Sequence, residues 1–210
     1  MRKDFVMPRY LKDWKLIGGL LLAYSLIFIT FDYKHQVFWY LYTATMLFLI
    51  SVTIISEKID KQISTKQAIL FGLPSGILLY FIFVFGHYLL SFLPMNTLKQ
   101  VRALYDYFSL DWLWQYLVLI LIIIPGEEFF WRGFVLKRLM NYAKPILAVI
   151  MAAILNALAF SFTGYFLLIL AAFFSGLIWG MLYVWKRSLP LLIISHLIFD
   201  LLLFILFPLA

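Results

Sequence analysis

The sequence predicts an all-α fold: a polytopic transmembrane bundle of about seven helices with its N-terminus on the cytoplasmic side. Three observations lead there. Of 210 residues, 65% are hydrophobic and 13% charged, against roughly 45–50% and about 25% in soluble domains. Apolar runs of spanning length follow one another with short polar connections. Finally, Lys and Arg gather in alternate connections. Of the 17, all but Lys34, Lys99 and Arg102 fall where a cytoplasmic face is expected, the bias that sets helix orientation.

The first apolar run, 16–31, follows a basic segment and superficially resembles a signal peptide. No small-x-small cleavage pattern follows it and further spans do, so it is read as a retained helix. The second run is 37–56. The third, 68–93, is long and carries Gly72, Pro74, Gly76 and Gly86, so a kink or an interfacial stretch is expected there. The connection 94–111 has Leu98, Val101, Leu104, Tyr105 and Phe108 at helix-like spacing; an amphipathic helix on the outer surface and a plain loop are both compatible with it. The fourth run, 112–130, ends in two carboxylates, and a basic turn, 137–144, separates it from the fifth, 146–162. The sixth and seventh runs are 166–185 and 189–207. Gly176 and Gly180, four apart, read as a close helix contact. Together these make one integral membrane domain, 1–210, whose partner is the lipid bilayer.

Composition also excludes chemistry. With no cysteine, disulfides, thiol catalysis and Cys-ligated metals are ruled out. The net charge of +7 is divided among connections rather than gathered in a patch, so it reads as topology and not as a nucleic-acid surface.

Few ionisable side chains lie in the spans: His87, Glu127, Glu128, His196 and Asp200, with Arg132 just beyond the fourth. Such groups are candidate functional residues, because charge inside a bilayer is costly. Glu128 and Arg132 are four apart and share a helix face, the arrangement of an ion pair. Glu127 points about 100° away and is left free to accept a proton. His196 and Asp200 are likewise four apart and share a face, so Asp200 is placed either to orient the imidazole or to favour its protonated form. Helix rise puts both groups in the cytoplasmic half. His87, near the outer end of its helix, and His35, in a connection, read as structural or exposed.

Glu127-Glu128-x-x-x-Arg132-Gly133, followed by Phe173-x-x-Gly176-x-x-x-Gly180, Ser188-Leu189 and His196-x-x-x-Asp200, resembles the CPBP or Abi family. That family comprises type II CAAX prenyl endopeptidases and bacteriocin-processing or self-immunity membrane proteins. The resemblance covers 112–207. It implies intramembrane proteolysis in which Glu127 and a histidine from a middle F-x-x-x-H motif activate water. His196 and Asp200 would polarise the scissile carbonyl, and Glu128 and Arg132 would hold the site together. This sequence departs at the middle motif. Ungapped counting puts Asn156 to Phe160 there, and anchoring on Phe160 puts Gly164 at the histidine, so neither register supplies one. Asn156 is then the candidate for positioning water.

The resemblance implies no cofactor; a divalent ion on Glu127, His196 and Asp200 is the minor alternative. Two functions remain open. One is a glutamic intramembrane endopeptidase cleaving a peptide or membrane-protein substrate near the cytoplasmic leaflet of a bacterial inner membrane. The other is a non-catalytic scaffold that binds a partner or confers bacteriocin immunity. A small transporter is disfavoured, because the spans lack a chain of polar groups beyond this one site.

Overall fold

A computed structural model of the chain describes residues 13–92 and 96–209. Among these the expected all-α bundle is what forms. The helices are α1 (Trp14–Asp32), α2 (Phe38–Ser56), α3 (Thr65–Leu90) and α4 (Asn96–Tyr107). They continue with α5 (Leu113–Leu139), α6 (Pro145–Leu158), α7 (Phe166–Lys186) and α8 (Leu189–Leu206). All except α4 and α6 are long and apolar enough to cross a membrane. The basic residues before Asp13 that entered the orientation argument lie outside the described residues.

Local signals fix the helix starts. The Asp13 side chain accepts from Leu16 N at 3.1 Å and caps α1. Ser64 and Gln67 form a reciprocal capping box on α3, satisfying two amides that a helix start leaves unpaired. Pro145 occupies the first turn of α6, where its missing N–H costs nothing. Arg187, in the left-handed region at φ 45°, and the Ser188 cap turn the chain from α7 into α8.

Four elements differ from or refine the sequence expectation. The helix α3 is continuous through Pro74. The connection after it holds a helix, α4, resolving the two readings in favour of the helical one. The fourth span does not stop at Phe130: α5 runs on to Leu139, with residues Phe130 to Leu136 all buried. Arg132 therefore lies inside the bundle rather than beyond a helix end, because its charge is matched there by Glu128. The fifth run is also shorter than expected. It ends at Leu158 and covers only about 21 Å, against roughly 30 Å of hydrocarbon.

The central element is α5, which packs against α1, α2, α6, α7 and α8. Around it, α3 pairs with α8 and α6 with α7. Both pairs depend on backbones that approach closely. A Cβ on Gly76 would collide with the Ser195 carbonyl oxygen of α8, and one on Gly180 would lie 2.8 Å from Val149 of α6. Small residues at such seams drive packing where lipid supplies no hydrophobic force, as Gly176 and Gly180 suggested.

The chain ends sort to two poles. At one, Arg138 pairs with Asp13 at 3.1 Å and Glu57 at 3.3 Å. Lys137 pairs there with Asp60 at 2.9 Å, and Tyr183 donates to Asp60 at 2.6 Å. At the other pole the His35 ring contacts Tyr107 O at 2.8 Å, and Tyr105 donates to Leu203 O at 2.8 Å. This alternation matches the charge pattern in the sequence.

Burial alone would raise the Asp60 carboxyl, but the hydrogen bonds from Tyr183 and Lys137 and the Lys137 charge outweigh it and hold the group below its ordinary 3.8. A depressed carboxylate contributes stability that is present above its unfolded value and is lost as pH falls through the folded one. Thermal unfolding in detergent is therefore expected to show wild-type stability declining below about pH 4. Asp60→Asn should start lower and lose less over that range; an identical decline in both proteins would contradict the assignment.

Candidate active site

Glu127 and Glu128 lie between two widened, π-type stretches of α5, Leu119–Ile123 and Phe129–Leu136. Such turns re-aim side chains and are frequent at functional sites. Glu128 is fully buried at 0% exposure and Arg132 at 2%, a depth at which an unpaired charge is not tolerated. Arg132 Nη1 donates to Glu128 Oε1 at 3.0 Å, the pair read from their spacing.

The same oxygen has a second partner that spacing did not reveal. His196 Nδ1, from α8, lies 2.8 Å from Glu128 Oε1. Ionised against Arg132, Glu128 can only accept, so Nδ1 carries the hydrogen and donates. That fixes the ring orientation and leaves Nε2 as its other working face. Nε2 stands 3.6 Å from Asp200 Oδ2, beyond hydrogen-bond length, so of the two roles open to Asp200 the orienting one falls to Glu128, and Asp200 stands beside the ring without bonding it.

Trp179 of α7 closes the cluster. Its ring stacks on His196 at 3.9 Å between centroids, and the Arg132 guanidinium lies 5.2 Å from it. Its indole N–H donates to Ser195 Oγ at 3.1 Å, and Ser75 from α3 donates to the same oxygen at 3.0 Å. An apolar ring over an ion pair excludes water and strengthens it.

Glu127 takes a different environment. It is half-buried, and its Oε1 accepts a hydrogen bond from the Tyr42 hydroxyl of α2. The helices come together there because residue 126 is glycine: a Cβ would meet Met46 Cβ, one turn along α2 from Tyr42, at 2.8 Å. Tyr42 was not a candidate from the sequence. One tyrosine among 13 in an aromatic-rich chain carries no distinguishing signal.

A cavity of about 160 Å³ joins these groups, lined by Tyr42, Glu127, Asn156, Phe160, His196 and Asp200 among others. Asn156 Nδ2 reaches Ala172 O at 3.4 Å, which ties it to α7 at the cavity wall. Of the two positions considered for the missing histidine, Phe160 faces this cavity, whereas Gly164 sits in a turn at φ +78° with open space around it. Because α5 runs on to Leu139, about 15 Å of helix rise separates Glu127 from Lys137 and about 21 Å from Leu113, which puts it near the middle of the helix rather than at the basic end where a span closing at Phe130 placed it. The cavity opens away from the basic end. Its further walls are Phe108, Leu110, Leu168 and Phe204, at the pole away from the basic ion pairs. Towards the basic pole, Phe130, Trp131, Phe134 and Leu192 are all buried and close the bundle.

Among the described residues no three His, Asp or Glu side chains converge as a metal-ligand set.

Residues 109–202, a little under half of the chain, match the family model described as type II CAAX prenyl endopeptidase Rce1-like. The match supports the family resemblance read from the motifs and spans Glu127, Glu128, Arg132, Asn156, His196 and Asp200, with Tyr42 outside it. No curated protein and no solved structure matches the chain.

Breaking the buried pair should be costly. Arg132→Ala leaves Glu128 uncompensated and is expected to lower stability by about 3–5 kcal/mol, read as unfolding in detergent. Adding Glu128→Gln in the same chain should recover much of the loss. A single variant as stable as wild type would contradict the pairing.

Proposed function

We propose that this chain, a multi-pass membrane protein with a type II CAAX-endopeptidase-like C-terminal region, is a glutamate-dependent intramembrane endopeptidase acting on a peptide or membrane-protein substrate. The observation that carries the reading is the shared cavity: Glu127, His196 and Asp200 reach it from two helices, while Glu128 and Arg132 lie buried behind them.

The chemistry follows from the donors. A water in the cavity bonds its oxygen to the scissile carbonyl carbon as its proton passes to Glu127. The carbonyl oxygen becomes an oxyanion in reach of His196, which can donate from Nε2 when protonated; a donor aimed at developing charge is worth most in a dry site. The tetrahedral species then collapses. The C–N bond breaks, Glu127 returns the proton to the leaving nitrogen, and a carboxylic acid and an amine separate. Asn156 holds water at the wall. Access is from the pole where α4 lies, rather than from the basic face that the sequence suggested; the cavity walls Phe108, Leu110, Leu168 and Phe204 at that pole support this. With the basic pole cytoplasmic, the substrate is met from the opposite leaflet.

A second reading has its own observation. Phe160 fills the position where the family pattern has a histidine, and it faces the cavity, so the fold could serve as a binding or immunity scaffold without hydrolysis.

The two readings separate by comparing new peptide termini in membranes from cells producing wild type, Glu127→Gln or His196→Ala. Under the endopeptidase reading each variant folds and loses about 10²-fold or more of the processing. Processing retained in full by both variants, or absent from wild type, leaves the scaffold. Phe160→His, which restores the second proton-handling group, should raise processing; no gain would also favour the scaffold.

A further inference from the structure

The endopeptidase reading leaves Glu127 without the histidine partner that the family pattern pairs with it, yet Glu127 is not alone. The Tyr42 hydroxyl bonds its Oε1. Tyr42 is itself buried at 6% exposure and lines the same cavity. The two aromatic positions line the same cavity and share a neighbour: the Phe31 ring lies edge-on to both, 6.2 Å from Tyr42 and 5.7 Å from Phe160. Phe38 stacks on Tyr42 at 5.4 Å, which fixes the direction of its hydroxyl. Gly126 is what brings α2 close enough for the bond to form, through its contact with Met46.

We propose that Tyr42 is the positioning residue for Glu127, taking over from α2 the place that a middle-motif histidine would fill from the end of α6. This rests on the endopeptidase reading of the site. A phenol is suited to part of that role. It donates one hydrogen bond to Oε1, which leaves Oε2 as the oxygen that takes the proton from water and later returns it to the leaving nitrogen. Tyr42 keeps its own proton throughout, so no second base is needed and the protons balance between water, Glu127 and the amine. The consequence is that the site is not confined to the matched region, 109–202; its carboxylate is aimed by the N-terminal half.

Two measurements test this. The first needs no substrate: infrared spectra of the detergent-solubilised protein, with the Tyr42 C–O band assigned as the one lost in Tyr42→Phe. That band is expected to shift in Glu127→Gln, and an unshifted band would overturn the proposal. The second is processing in membranes. Tyr42→Phe, which fills the same space, should fold and lose roughly 10- to 100-fold of the rate, the range for one hydrogen bond to a charged group. Tyr42→His, which restores a donor, should recover part of it. Wild-type processing by Tyr42→Phe would overturn the proposal. Absence of processing in wild type would instead overturn the endopeptidase reading, and the infrared band would then decide whether Tyr42 holds Glu127.

Discussion

The Glu128 carboxylate sits at 0% exposure in the centre of the bundle, and much of the architecture answers the cost of keeping it there. Desolvating a carboxylate is worth several kcal/mol against folding even after relaxation, so it requires partners of high quality. Arg132 comes from the next turn of α5 and His196 from α8. Because one oxygen serves both, the ion pair also joins two helices, and it fixes which imidazole nitrogen is left to work. Trp179 shields the group on the α7 side. A buried ion pair is weak evidence of stability in itself, but it is an effective way to specify one packing of otherwise interchangeable apolar helices.

That packing depends on close backbone approaches. Lipid tails are as apolar as leucine, so helices in a bilayer associate by fit rather than by escape from water. Gly76 seats α3 on α8, Gly176 and Gly180 seat α6 on α7, and Gly126 seats α2 on α5. The last of these has the most direct consequence for the site. A Cβ at residue 126 would press on Met46, one turn of α2 from Tyr42, at the seam across which Tyr42 reaches Glu127. The two adjacent carboxylates thus reach opposite circumstances: one is neutralised by Arg132 and sealed, while the other is held by a neutral donor at the edge of a cavity.

A large part of this was legible in the chain. The Glu128–Arg132 pair follows from a four-residue spacing that any helix turns into a contact. The relation of His196 to Asp200 follows in the same way, although their 3.6 Å separation is looser than the spacing suggested. Hydropathy located the spans and charge alternation sorted their ends. What was misread lay at element boundaries: α5 continues through Arg132 to Leu139, because a charged residue that finds its partner inside the bundle does not end a span. The connection before α5 proved helical because its apolar residues recur at helical spacing.

The bond from His196 to Glu128, the approach of Tyr42 to Glu127 and the direction of the cavity had no counterpart in the sequence. Each depends on the rotation of one helix about its axis relative to another. In a soluble protein that rotation shows as an apolar stripe, because the outer face must be polar. Here lipid-facing residues such as Leu70, Phe81 and Phe85 are as hydrophobic as the buried Leu79, so the pattern carries no phase. The sequence by itself determined the polytopic helical class, the approximate places of the apolar helices, the charged pair within α5 and the family resemblance of its C-terminal half. Only the tertiary structure decided which faces meet, since in a chain apolar on all sides that choice rests on close packing and a few buried polar bonds.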